Sequence, residues 1–255
     1  MELFDSHAHY NDEKFDDDRD TIIKEAYNSG ITTIINAGYS LESSKKAIEI
    51  ANQYEFMYAT VGVSPNDIED LKGNYIEDIE ELAKSHKVVA IGEIGLDYYW
   101  NKENKEKQKE IFMEQIKLAN KLELPIVIHT REAVMDTIDI LKKIECKKRG
   151  VFHCCPLNRE LVKEALKLGF YISFAGPVTF KNSKNAEEIV NLVPIEKILI
   201  ETDSPYLSPE PVRGRRNDSQ NVKYIAQKIA DIKGLTIEEV AKQMHKNIEK
   251  IFNMQ

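Results

Sequence analysis

The sequence predicts a (β/α)₈ barrel, the TIM-barrel fold of the α/β class. Eight short apolar runs rich in β-branched residues alternate with polar amphipathic stretches, which is the pattern of βα units in a parallel sheet. No linker or repeat divides the 255 residues, and a barrel of about 250 residues forms one domain. We therefore expect a single domain over residues 1–255. An open doubly wound sheet is the alternative, but the first strand lacks the G-x-G-x-x-G turn of that fold.

The strands are predicted from the apolar runs in chain order. They are expected at residues 3–4, 31–36, 57–63, 88–91, 125–128, 150–152, 171–174 and 197–200. Between the fourth and fifth runs, apolar and amide side chains recur every three or four residues from 104 to 122, which indicates one face of a helix. Two other helices are expected over 19–29 and 159–168, because Gly30 and Gly169 follow them in the position of a C-terminal cap.

Composition restricts the kind of partner. The 35 basic and 43 acidic residues give a net charge of −8, so bulk positive charge cannot attract nucleic acid and any such contact must be local. No apolar run approaches the ~18 residues that span a bilayer, so we expect no membrane partner. The N-terminal sequence has no basic segment followed by an apolar one, and we expect a cytoplasmic protein.

Polar side chains close several of the apolar runs. In a TIM barrel the catalytic and binding residues lie at the carboxyl ends of the strands, which is where these polar side chains are found. The two histidines of the first run are two residues apart, so on an extended strand they point to the same side. The candidate residues are His7 and His9 (first strand), Glu93 (fourth), His129 (fifth), His153 (sixth) and Asp203 (eighth).

These residue types predict a metal site. Imidazoles and carboxylates are ligands suited to zinc and its first-row neighbours. Glu93 and Asp203 follow apolar strands, and a buried carboxylate without a partner costs several kcal/mol, so a cation must meet them. Arg131 could neutralise one of the two, but it does not account for four converging histidines.

The same residues carry a family resemblance. The motifs are D-S-H-A-H at 5–9, G-E-I-G-L-D-Y at 92–98, H-x-R at 129–131, H-C at 153–154, E-T-D-S-P-Y-L at 201–207 and P-x-R-G-x-R-N at 211–217. In this order they resemble the TatD family of metal-dependent deoxyribonucleases, which belongs to the amidohydrolase-type barrels. The resemblance runs from residue 5 to the C-terminal segment and implies the same barrel fold.

The resemblance also implies roles. His7, His9, Glu93 and Asp203 would hold one divalent cation, and Glu93, His129 and His153 a second, the ions being zinc, magnesium or manganese. Glu93 would bridge them, since one carboxylate can span ions about 3.5–4 Å apart. Asp203 and Glu93 are the expected catalytic residues, with Asp203 as the general base. The implied reaction is hydrolysis of phosphodiesters, by an exonuclease on single-stranded or frayed DNA.

Substrate contacts are expected around these ligands. Arg131 matches two phosphate oxygens, although it could instead pair with Glu93 or Asp203. Arg213 and Arg215 lie in a basic loop after the eighth strand, where barrels often bind phosphate. Tyr98, followed by Tyr99 and Trp100, could stack on bases.

Three positions depart from the family pattern. Ser64, a further candidate contact, stands where the family usually has His, and Val212 also replaces a common His. Cys154-Cys155-Pro156-Leu157 replaces a segment with an aromatic residue and a glycine. A serine carries no positive charge, so we do not expect the phosphate contact or acid role of the family's histidine at this position.

The expected partner is DNA, and RNA or aminoacyl-tRNA stays open; we expect a monomer. One alternative keeps the metal site and changes the bond, giving an ester or amide hydrolase such as a D-aminoacyl-tRNA deacylase. The other is a non-catalytic barrel scaffold.

Overall fold

Eight parallel strands in chain order form the centre of the molecule. The computed structural model describes residues 2–69 and 71–254. The strands are β1 (Leu3–Ala8), β2 (Ile31–Ala37), β3 (Met57–Val61), β4 (Val88–Asp97), β5 (Ile126–Arg131), β6 (Gly150–Phe152), β7 (Tyr171–Phe174) and β8 (Ile198–Ile200). This order of strands confirms the predicted barrel.

Helices cover the outside of the strands. Within the described residues they are α1 (Arg19–Asn28), α2 (Leu41–Ala51), α3 (Tyr75–Leu82), α4 (Lys105–Leu122), α5 (Val134–Lys143), α6 (Arg159–Lys167), α7 (Ala186–Leu192), α8 (Val222–Lys233) and α9 (Ile237–Phe252). Gly30 and Gly169, with φ of 101° and 87°, follow α1 and α6 as the sequence predicts. That all of residues 1–255 form one domain stays a prediction, and residues 1, 70 and 255 lie outside the described residues.

The barrel closes between β1 and the segment that follows β8. Ala8 and Ser204 form a parallel bridge, and the backbone N–H of His9 donates to the Ser204 carbonyl at 2.7 Å. The N–H of Asp203 donates to the His7 carbonyl at 2.9 Å. These bonds bring the polar ends of the first and last strands together.

Four strands extend further than the apolar pattern predicts: β2 by one residue, β5 by three, and β1 and β4 by four and six. β1 continues to Ala8 and β4 to Asp97, because the polar residues in them are buried and hydrogen-bonded rather than turned to solvent. β3 ends at Val61 instead of residue 63. Gln115 on the inner face of α4 takes both backbone bonds of Val63, at 2.8 and 2.9 Å, and so replaces a strand neighbour.

Within residues 2–69 and 71–254, no helix combines the length and the apolar character needed to cross a membrane.

Candidate metal centre

The six predicted ligands come together at the carboxyl ends of five strands. Strand alternation places the imidazoles of His7 and His9 on the same side of β1, and their Nε2 atoms are 3.2 Å apart. The Nε2 of His7 lies 3.4 Å from Glu93 Oε2 and 3.8 Å from Asp203 Oδ1. The Nε2 of His9 lies 3.7 and 3.3 Å from the same two oxygens.

The spacing of these four atoms fits a bound cation. Atoms that coordinate zinc tetrahedrally at about 2.0–2.2 Å lie about 3.3–3.6 Å from one another. The single N–H that a neutral imidazole offers cannot serve a second imidazole and two carboxylates at once. A divalent ion would satisfy these atoms, and His7, His9 and Glu93 lie close enough together to hold one, so the donor set suits the metal that the sequence predicts.

A second group lies beside the first. The Nδ1 of His129 is 2.9 Å from Glu93 Oε1 and 3.1 Å from the Nε2 of His153. The Nε2 of His153 is 3.3 Å from the same Glu93 oxygen. Glu93 therefore turns Oε2 to the first group and Oε1 to the second. His7, His153 and Asp203 also lie close enough to share an ion, so the two groups are contiguous.

The charges of these groups stabilise one another. Burial opposes ionisation of Glu93, but the charge of His153 and hydrogen bonds with His129, His153 and His7 hold the pKa of its carboxyl well below its usual range. Burial likewise opposes ionisation of Asp203, and the hydrogen bond and charge of His9 lower the pKa of that carboxyl. Both carboxylates are thus anionic at neutral pH.

Further groups orient the imidazoles. The Nδ1 of His9 lies 3.0 Å from the carbonyl oxygen of Ala37, and the Nε2 of His129 lies 2.9 Å from Asp97 Oδ2. The Nδ1 of His153 lies 3.4 Å from Glu201 Oε1. Such partners fix the ring and its tautomer, and they tune affinity for a metal.

Sequence reasoning did not assign Asp97 or Glu201. Asp97 stands four residues after Glu93, and Glu201 two residues before Asp203. Even spacing on a strand places side chains on the same face, so this signal could have found Asp97 on β4, whereas Glu201 and Asp203 follow the end of β8.

Asp5 was also not assigned. It is fully buried, accepts hydrogen bonds from the Thr202 N–H at 2.8 Å and the Ser219 hydroxyl at 2.7 Å, and so joins β1 to the chain after β8. Burial raises the pKa of Asp5 to about 7 despite these bonds.

The chain matches one protein family over almost its whole length. A family model described as TatD related DNase matches residues 4–253. The chain is 42% identical over 253 residues to a Bacillus subtilis (strain 168) protein named uncharacterized metal-dependent hydrolase YabD, covering 99% of both. The chain belongs to the TatD family. It is also 32% identical over 258 residues to a Shigella flexneri protein named 3'-5' ssDNA/RNA exonuclease TatD, covering 99% of both.

Solved structures of TatD proteins share the fold. The Escherichia coli K12 TatD homologue YJJV superposes with a TM-score of 0.94 at 24% identity, covering 99% of this chain and 98% of that one. A TatD family hydrolase from Entamoeba histolytica gives 0.89 at 26% identity, with the same coverage. The protein is thus a metal-dependent hydrolase on a TIM barrel, and this family membership argues against a non-catalytic scaffold.

A cavity of about 760 Å³ is lined by five of the six candidate metal ligands, which are His9, Glu93, His129, His153 and Asp203. One wall carries Ser64, Asp67, Trp100 and Arg131. A second part of the lining, called here the apolar wall, is formed by apolar side chains. Its residues are Cys155, Pro156, Leu157, Phe174, Ala175, Pro177, Val178 and Leu207.

Two departures from the TatD pattern shape this cavity. Ser64 lines it, and its hydroxyl donates to Asp67 Oδ2 at 2.6 Å, so this side of the mouth presents oxygen atoms instead of an imidazole. Pro156 and Leu157 belong to the apolar wall, where the family pattern has other residues. The departures therefore alter the cavity and leave the six ligands in place.

Of the three arginines predicted to contact substrate, only Arg131 is among the described residues that line the cavity. Arg131 lines the cavity and, within residues 2–69 and 71–254, pairs with neither Glu93 nor Asp203, so the alternative ion-pair role is wrong. Arg213 stacks on Phe180 with its Cζ 4.1 Å from the ring centre, and Arg215 is exposed. Among the described cavity-lining residues, neither Arg213 nor Arg215 is found.

Tyr98 does not suit the role that the sequence assigned to it. The side chain is 6% exposed, and its hydroxyl donates to Asp136 Oδ2 at 2.6 Å, on α5 and outside the cavity lining. The loop turns after Asp97, so Tyr98 packs inward while Trp100 lines the cavity.

Proposed function

We propose that this chain is a deoxyribonuclease that removes nucleotides from single-stranded or frayed DNA ends. Two divalent cations (Zn²⁺, Mg²⁺ or Mn²⁺) would be held by His7, His9, Glu93 and Asp203 and by Glu93, His129 and His153. A TatD relative named as a single-stranded DNA and RNA exonuclease supports the nucleic-acid substrate.

The observation that carries the proposal is the position of Glu93. Its two carboxylate oxygens face separate pairs of imidazoles, at 3.4–3.7 Å on one side and 2.9–3.3 Å on the other. A bridging carboxylate of this kind is typical of two-metal sites that hydrolyse phosphate esters. Cations held there would supply positive charge next to the oxygens of a bound phosphate ester.

The side chains of the chain divide the remaining work. Asp203, anionic and directed at the first group of imidazoles, accepts the proton of the attacking water. Arg131 lines the cavity two residues beyond His129 and binds phosphate oxygens through its planar guanidinium. The apolar wall disfavours water in its part of the cavity.

A substrate panel tests this function. The protein is loaded with Mg²⁺, Mn²⁺ or Zn²⁺ and given a single-stranded oligonucleotide, its duplex, an RNA of the same sequence, a D-aminoacyl-tRNA and simple lactones. We expect shortening of the single strand from one end and slower cleavage of the duplex. Gel electrophoresis of strands labelled at either end measures both. Glu93→Gln, purified in the same way, serves as the inactive control.

Different products would lead to different conclusions. An oligonucleotide that survives every metal while an ester or the aminoacyl bond is cleaved overturns the nuclease proposal in favour of the ester hydrolase. Equal activity in the Glu93→Gln variant would indicate a contaminating nuclease.

A further inference from the structure

Two neighbouring aromatic side chains are exposed, and one of them lines the cavity. Tyr99 and Trp100, in the loop between β4 and α4, are 46% and 68% exposed. Trp100 lines the same cavity as His129 and Arg131. An aromatic surface left in water beside a candidate catalytic centre is typical of a ligand-binding site.

The loop that carries them is held in place. Asp97 Oδ1 accepts hydrogen bonds from the backbone N–H groups of Tyr99, at 2.9 Å, and Trp100, at 3.1 Å. The amide of Gln108 donates to the carbonyl oxygens of Asp97, at 3.0 Å, and Asn101, at 3.2 Å. The aromatic rings therefore project from a fixed backbone, and little order is lost when a ligand binds.

The same carboxylate ties the loop to the candidate metal ligands. Asp97 Oδ2 lies 2.9 Å from the Nε2 of His129, whose Nδ1 faces Glu93. One side chain thus sets both the orientation of a metal ligand and the position of the aromatic rings.

Arg131 completes this surface. Its Cζ lies 3.8 Å from the ring centre of Tyr99 and 5.5 Å from that of Trp100. Among the described residues it has no carboxylate partner within ion-pair distance. A guanidinium stacked on an aromatic face keeps its N–H groups in the plane, where they can donate to phosphate oxygens. Strand alternation directs it to the same side of β5 as His129.

We propose that Trp100, Tyr99 and Arg131 form a nucleotide subsite beside the metal centre, in which Trp100 stacks on an unpaired nucleobase and Arg131 binds the adjoining phosphate. The inference rests on the proposed nuclease function and deepens it, because it names the feature that selects the substrate. A base inside a duplex is covered on both faces by its neighbours, so only an unpaired end can occupy the subsite.

Fluorescence provides a test that does not need catalysis. Trp100 is the single tryptophan of the sequence, so intrinsic tryptophan emission reports on this position alone. The full-length Asp203→Asn protein, loaded with Mg²⁺ and slow to cleave the strand, is titrated with oligothymidylate and with a sugar-phosphate strand of equal length without bases. We expect quenching by oligothymidylate and little by the abasic strand. Equal quenching by both strands, or by neither, overturns the stacking.

Kinetics with variants test the same contact in the working enzyme. Trp100→Ala should raise KM for a single-stranded oligonucleotide by about 5- to 100-fold, the range of one base–aromatic stack, with kcat nearly unchanged. Trp100→Phe should restore most of the affinity. On a strand with abasic terminal nucleotides, Trp100→Ala and the parent should have the same KM. Arg131→Ala should raise KM on both strands.

Met135→Ala is the matched control. Met135 is 66% exposed, apolar and outside the described cavity lining, so its loss should leave KM unchanged. If Trp100→Ala raises KM equally on base-bearing and abasic strands, the subsite is wrong while the nuclease function stands. If the parent protein cleaves no oligonucleotide, the proposed function fails, and the fluorescence titration alone then decides whether Trp100 binds a base.

Discussion

At the scale of single residues, the pairing of Glu93 with two groups of imidazoles explains why a carboxylate stands within β4. Oε1 lies within 3.3 Å of two imidazole nitrogens, and Oε2 lies within 3.7 Å of two others. An imidazole or an arginine at this position could not bridge two cations, because only a carboxylate offers two anionic oxygens on one carbon.

Asp203 gives the prediction that belongs to this scale. Asp203→Asn keeps the shape of the side chain but removes the base, so we expect hydrolysis to fall by about 10²- to 10⁴-fold. The second ligand group, formed by Glu93, His129 and His153, does not contain Asp203, so one ion per chain should remain bound. Initial rates and metal content of the dialysed protein measure the two effects. Parental rates in this variant would show that Asp203 is not the base.

At the scale of elements, the pairing of β4 with β5 sets the distance between Glu93 and His129. Gly95 lies between Glu93 and Asp97, pairs with His129, and has φ of 145°. A Cβ at this position would lie 1.9 Å from the carbonyl oxygen of His129. Glycine is thus required for the two strands to approach as closely as the ligand group needs.

Gly95→Ala tests this requirement. The clash and the unfavourable φ should lower the free energy of unfolding by about 2–5 kcal/mol and weaken metal binding by separating Glu93 from His129. Urea denaturation and a metal titration measure the two effects. Gly73→Ala is the control, since nothing lies within 4 Å of the added Cβ, and its stability should change by less than about 0.5 kcal/mol. Similar stability of the two variants would contradict the close approach.

At the scale of the whole molecule, negative charge is distributed in two ways. The 43 acidic residues give the chain a net charge of −8, and two of them differ from the rest: Glu93 is buried and Asp203 is partly buried, and both lie beside imidazoles. Two bound divalent cations would add four positive charges at the mouth of the barrel, where a phosphate must approach. This local charge reconciles an acidic protein with a polyanionic substrate. Monomeric state and cytoplasmic location stay predictions.

Metal removal tests the whole molecule. We expect the chelated protein to remain folded, because the barrel core is apolar and independent of ions. At about 100 times Kd, restored Mn²⁺ or Zn²⁺ should stabilise it by about 2.7 kcal/mol for each of the two ions, which together is a rise in Tm of about 10–20 °C. Two ions per chain should bind, and fewer in Glu93→Gln. Unfolding on chelation, or one ion in the parent, would contradict the two-ion site.

Local patterns made much of this predictable. Apolar periodicity identified the eight strands in order, and the polar residues that close the strands include the six that the barrel brings together. The rule that parallel strands of a barrel present their carboxyl ends on one face needs no knowledge of distant contacts. The ends of β1 and β4 were less predictable, because buried polar residues there were interpreted as the start of loops.

The sequence by itself therefore determined the fold, the family and the residues at the ligand cluster. Only the tertiary structure decided that Trp100 and not Tyr98 lines the cavity, and that Arg216, in the same loop as Arg213 and Arg215, pairs with Asp18. The physical reason is that strand alternation fixes side-chain direction locally, whereas a loop side chain takes its direction from its partner. For Arg216 that partner lies 198 residues away.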